Sequence, residues 1–84
     1  MREHPVLVLK EGNGHKLDRT PIHVDGGDLV RWGGDGEVLF PDSPFEEGAG
    51  PFKPGKVSHI KRGLPQGKHF PCSATQGEII VDNP

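Results

Sequence analysis

Apolar residues enter this chain in short bursts, within Val6–Leu9, Leu29–Trp32, Val38–Phe40 and Glu78–Val81, and turn-forming residues follow each burst. No segment sustains a 3.6-residue period, so no helix longer than about two turns is expected and the core must form between strands. Thirteen glycines and nine prolines would suit a disordered chain if the apolar residues were scattered. They are grouped instead, and prolines that fit their native φ lower the entropy of the unfolded chain. The 84 residues make one domain, 1–84. A domain of this size buries only about 60 to 65 per cent of the surface its unfolded chain exposes.

Val6–Leu9 reads as the first strand, ended by the Glu11-Gly12-Asn13-Gly14 turn cluster. Leu17 to Pro21 reads as an irregular crossing with Leu17 inward, because Pro21 cannot donate to a ladder and suits the first position of a strand. Ile22–Val24 follows, with Ile22 and Val24 on one face. Asp25-Gly26-Gly27-Asp28 tolerates the positive φ of a tight turn and feeds Leu29–Trp32, whose Val30 and Trp32 point to the core. Val38–Phe40, Lys56–Lys61, Lys68–Cys72 and Glu78–Val81 complete the set, with a long loop from Asp42 to Gly55. The Lys56–Lys61 and Lys68–Cys72 strands are expected to pair. Seven short strands with turns every 8 to 12 residues or so describe an all-β, Greek-key β-sandwich, with an OB-like barrel as the alternative.

The net charge of −2 offers no positive field for phosphate backbones, so nucleic acid is not an expected partner. No apolar run approaches the roughly 20 residues of a membrane span. Met1 to Pro5 and the four aliphatics after it are too short for a signal peptide. The expected location is cytoplasmic if Met1 is the native start, and periplasmic or secreted if a leader has been removed. A single cysteine allows no internal disulfide and leaves the redox compartment open. A monomer is expected.

Gly27-Asp28-Leu29-Val30-Arg31-Trp32 resembles the Gly-Asp-x-Val-x-Trp strand of the cupredoxins. Gly36-Glu37-Val38-Leu39-Phe40 stands where that family has His-Asn-Val-x-Phe, and Pro54-Gly55 matches its Pro-Gly. Gly67-Lys68-His69-Phe70-Pro71-Cys72 is similar to its Gly-x-Tyr-x-Tyr-x-Cys strand. Cys72-Ser73-Ala74-Thr75-Gln76-Gly77 stands where the plastocyanin branch has Cys-Ser-Pro-His-Gln-Gly. The resemblance covers nearly the whole chain and implies a cupredoxin-like sandwich. It also implies a site without most of its copper ligands, since Gly36 and Thr75 replace the two histidines and the methionine segment is missing. A blue-copper centre needs two imidazoles and a thiolate around a weak axial group, and only the thiol is left. No cofactor is therefore expected.

Cys72 is expected as a buried small hydrophobe; a reactive or metal-binding thiol is the alternative. Among the five histidines, His59 and His69 are the best metal candidates beside Cys72. If Phe70 and Cys72 face inward, however, His69 faces outward and cannot chelate with the thiol. Asp35, Glu37, Asp42, Glu46 and Glu47 form an acidic block; Lys53, Lys56, Lys61, Arg62 and Lys68 form a basic one. The blocks either neutralise each other or make a polar docking surface. Phe45 and Phe52 in the long loop either plug the end of the sandwich or expose an apolar binding loop. No nucleophile with a base, no paired carboxylates and no phosphate cradle can be found, so an enzyme is not expected.

A non-catalytic, copper-free module that binds an unknown protein follows, through Phe45, Glu46, Glu47, Phe52, Lys53, Lys61 and Arg62. Metal handling or electron transfer through Cys72 with a histidine is the second function, and an accessory domain of a longer polypeptide the third.

Overall fold

The turn at Gly12–Asn13 folds the chain back on itself and makes a hairpin of β1 (Glu3–Glu11) and β2 (Gly14–Leu17) in the computed structural model, which describes residues 1–84. The remaining strands are β3 (Ile22–Asp25), β4 (Leu29–Gly34), β5 (Val57–His59), β6 (His69–Pro71) and β7 (Glu78–Asn83), and there is no helix. Two mixed sheets result, one ordered β2-β1-β4-β5 and the other β3-β7-β6. β1 runs parallel to β4 with Val6 opposite Trp32, and β3 runs parallel to β7 with Ile22 opposite Ile79. The chain therefore crosses to the second sheet as β3 and returns to the first as β4. The molecule is a small all-β sandwich of two open sheets, and the barrel alternative falls away.

Period-two alternation puts the core together. Val6 and Val8 of β1, Ile22 and Val24 of β3, Val30 and Trp32 of β4, Phe70 of β6, and Ile79 and Val81 of β7 all point inward. Gly34 ends the β1–β4 pairing: at φ 94° it lies so close to the Val8 backbone that any Cβ would overlap the Val8 carbonyl.

Three expected elements change. Val38–Phe40 forms no strand. Its only bridge joins Val38 to Phe52, and at the next donor position on one side Pro54 has no N–H to extend a ladder. Its alternation still holds, with Val38 and Phe40 buried and Leu39 outside. An unexpected strand, β2, starts at Gly14 of the turn cluster and ends at Leu17, the one residue this edge strand buries, while Asp18 to Pro21 is irregular as expected. Lastly, β5 and β6 do not pair. β5 lies against β4 in one sheet and β6 against β7 in the other.

Four aromatic rings fill one end of the sandwich. Trp32 lies within 6.0 Å, centroid to centroid, of each of Phe40, Phe45 and Phe52. Phe45 and Phe52 are 4.7 Å apart, and both are fully buried. Contacts of this kind contribute about 0.5 to 1.5 kcal/mol each beyond the area they bury. The Trp32 indole N–H donates to the buried Ser58 Oγ at 3.1 Å, so the ring carries no unpaired donor into the core. Of the two roles open to the loop phenylalanines, they take the inward one, and neither can meet a partner.

The Gly27–Trp32 stretch starts on a polar lock. Asp28 is only 2% exposed. Its carboxylate accepts the backbone N–H of Arg2 at 2.9 Å and of Asp25 at 2.9 Å, and meets His4 Nε2 at 2.8 Å. Burial by itself would raise the Asp28 pKa, but the His4 bond and the two backbone donors outweigh it and hold the carboxyl below its ordinary 3.8. One side chain thereby fastens the start of β1 to the turn that launches β4.

Candidate functional site

The long loop is less free than its composition suggests. Ser43 Oγ accepts the Phe45 N–H and donates to the Gly48 carbonyl at 2.6 Å, closing the loop upon itself. Phe45, anchored among the aromatic rings, bridges to Ile60. Around that bridge the Glu46 N–H donates to the His59 carbonyl and the Lys61 N–H to the Pro44 carbonyl, each at 2.8 Å. On the other side of the same segment, the Gly27 N–H donates to the Ile60 carbonyl at 3.0 Å and the Ile60 N–H to the Asp28 carbonyl at 2.8 Å. His59 to Lys61 is thus a backbone rail gripped from both sides, with Ile60 buried and its neighbours turned outward.

Gly27, Glu46, His59, Ile60, Lys61 and Arg62 line an open cleft of about 520 Å³, the one cleft of the fold. Arg62 has a defined seat in its wall. A Cβ on Gly27 would lie 2.5 Å from an Arg62 Nη and 2.7 Å from its Cζ, so the guanidinium rests across the bare α-carbon of that glycine. Gly27 also holds φ 84°, which side chains rarely adopt. Glycine here serves both the turn and the arginine.

The charges of this region divide into engaged and free. Glu47 is engaged: its carboxylate accepts the His59 backbone N–H at 2.8 Å and meets the His59 Nδ1 at 2.5 Å. Burial would push the Glu47 carboxyl up, but these bonds from His59 prevail and hold it below its usual 4.5. Lys68 pairs with Asp42 at 3.0 Å, a single direct link between the acidic and basic blocks. Arg2, Lys16 and Arg31 also have carboxylate partners, whereas Lys61 and Arg62 have none within 4.0 Å and Lys61 reaches only the Ser43 carbonyl, at 3.5 Å. Other unpaired cations exist, Lys10 and Lys53 among them, but they do not line the cleft.

Of the residues expected to bind a partner, Glu46, Lys61 and Arg62 come together here. Lys53 stands outside the cleft, Glu47 is spent on His59, and Phe45 and Phe52 are core. Gly27 was legible only as a turn former, and His59 only as a metal candidate. Nothing in the sequence signals that a turn between β3 and β4 faces the segment after β5.

Cys72, His59 and His69 are not a set. His59 sits on β5 in one sheet, bonded to Glu47; His69 sits on β6 in the other, 3.2 Å from Glu78. His69 faces outward while Phe70 faces inward, as strand parity requires. Cys72, just past β6, is partly buried against the core, and burial pushes its thiol above the ordinary 9.0. No three His, Cys, Asp or Glu side chains gather as a possible ligand set anywhere in the chain.

Comparison with protein-family models, with curated proteins and with solved structures gave no match in any of the three.

Proposed function

We propose that this chain is a non-catalytic protein-binding module on a cupredoxin-like, Greek-key scaffold, and that the Glu46–His59–Lys61–Arg62 cleft is its docking surface. The observation that carries the proposal is the cleft itself: two adjacent cations without carboxylate partners, at the end of a rail held by hydrogen bonds from both sides. A concavity lined mainly by charged and polar residues suits recognition of another protein's charged side chains, with selectivity and encounter rate set by electrostatics. Support for the scaffold comes from Val30 and Trp32 of the Gly27–Trp32 motif facing the core and from Cys72 following the inward Phe70. Gly36 and Thr75 bring no metal ligand to the positions where the resemblance has histidines. Support for a non-catalytic role comes from Cys72, which makes no hydrogen bond to a histidine and whose thiol burial disfavours the nucleophilic form.

The test places a photo-crosslinking residue at position 61 and, as control, at the exposed Lys10 on β1. Protein adducts formed at 61, absent at 10 and diminished by added salt are the expected outcome. Equal adducts at both positions, or adducts indifferent to salt, would count against this surface.

A further inference from the structure

We infer that the cleft takes a carboxylate side chain from an acidic segment of the partner, an inference that rests on the protein-binding reading above and names the partner's chemistry. Lys61 and Arg62 contribute two uncommitted positive charges to its lining. Glu46 contributes the one uncommitted negative charge, because the Glu47 carboxylate is already taken by His59. The Nδ1 of His59 faces Glu47, which leaves its other ring nitrogen for a visitor. The free balance is positive, so an acidic group is favoured over a basic one.

The geometry points further, to a carboxylate rather than a phosphate. The Arg62 guanidinium is a planar fork already laid across Gly27, and such a fork matches a carboxylate with two parallel hydrogen bonds. Glu46 in the same wall repels a second negative charge, which penalises a phosphate dianion or a run of phosphates more than a single carboxylate. A peptide also brings backbone N–H groups, and Glu46 is an acceptor for one of them. Ile60 is the only hydrophobic residue of the lining and is 1% exposed, so no exposed hydrophobic side chain of the cleft competes with its charges for the occupant.

The experiment follows backbone amide resonances of the whole chain while a blocked peptide of alternating serine and glutamate is added. Parallel titrations use the same peptide with glutamine for glutamate, the same peptide with lysine for glutamate, and inorganic phosphate. The expected result is movement of Gly27, His59, Ile60, Lys61 and Arg62 with the glutamate peptide. Glutamine in place of glutamate should weaken binding at least fivefold or so, and Arg62→Gln should do the same. Gly27→Ala, which displaces the guanidinium while leaving every charge in place, should weaken it about as much, with retained folding checked from the Trp32 fluorescence.

Three outcomes overturn the inference. Either the lysine peptide moves the same resonances as strongly, or phosphate does, or the glutamate peptide leaves the cleft residues still while shifting those around Lys10 and Lys16. Any of these, combined with salt-sensitive crosslinking at position 61, would discard the acidic partner and keep the docking surface. Loss of the crosslinks as well would discard both.

Discussion

Replacing Asp28 by asparagine keeps the shape of the side chain and removes its charge. In the native fold one carboxylate oxygen accepts the Arg2 N–H and the other accepts the Asp25 N–H and faces His4 Nε2. An asparagine has one oxygen, so its amide nitrogen must face at least one of these donors. Losing a single hydrogen bond to a charged group inside the protein costs about 1.5 to 3 kcal/mol. Against a total stability of roughly 4 to 13 kcal/mol for a chain of this length, that is a large fraction. The thermal midpoint should fall by about 4 to 8 °C per kcal/mol, or roughly 6 to 24 °C in all. The sign of the pH dependence follows from the same bonds. Asp28 is held below its ordinary 3.8 in the folded protein, so the unfolded chain takes up the proton first as pH falls. Its contribution is complete above that ordinary value and drains away as pH drops through the folded one. Urea unfolding followed by Trp32 fluorescence should therefore show wild type and Asp28→Asn far apart at neutral pH and converging as the pH falls below 3.8. Curves that stay parallel into acid, or a neutral-pH loss under about 0.5 kcal/mol, would refute the lock as a source of stability.

Phe45→Ala, although it lies in a loop, should cost about 3 to 5 kcal/mol in urea unfolding, because Phe45 touches Trp32, Phe40 and Phe52 and is fully buried. Ser58→Ala leaves the Trp32 N–H without an acceptor and should cost about 1 to 3 kcal/mol, whereas Trp32→Phe in that background should cost less than in the native protein. Glu47→Gln should reduce the loss of stability on acidification, since Glu47 too is held below its usual 4.5 and contributes only while ionised; equilibrium unfolding between neutral pH and mild acid checks it. Alkylation of Cys72 by iodoacetamide at neutral pH should run at least tenfold or so slower than that of glutathione, because burial raises the thiol; a rate equal to that of free thiol would show it exposed.

Legibility differed between the inside and the outside of this molecule. Val30 and Trp32 could be placed in the core, and Ile22 and Val24 on one face, from alternation alone, and even Val38 and Phe40 faced inward where no strand formed. Asp28 and His4 were not legible as a pair, for they lie 24 residues apart and meet only because β1 runs beside β4. The same holds for the cleft. Lys61 and Arg62 stood out by charge, but their seating depends on Gly27, which a turn brings alongside Ile60.

What the chain determines by itself is which face of each segment is dry. Successive residues of an extended backbone point to opposite sides, so the order of apolar and polar residues settles inside against outside before any partner strand is chosen. Glycines and prolines likewise settle where the segments stop. Which strand lies beside which is another matter, because a pairing gains its hydrogen bonds only when distant segments meet. Tertiary structure alone separated β5 from β6, made β2 a strand, and turned Phe45 and Phe52 toward Trp32. It alone laid an arginine across a glycine 35 positions earlier in the chain and so opened a cleft that no local pattern encodes.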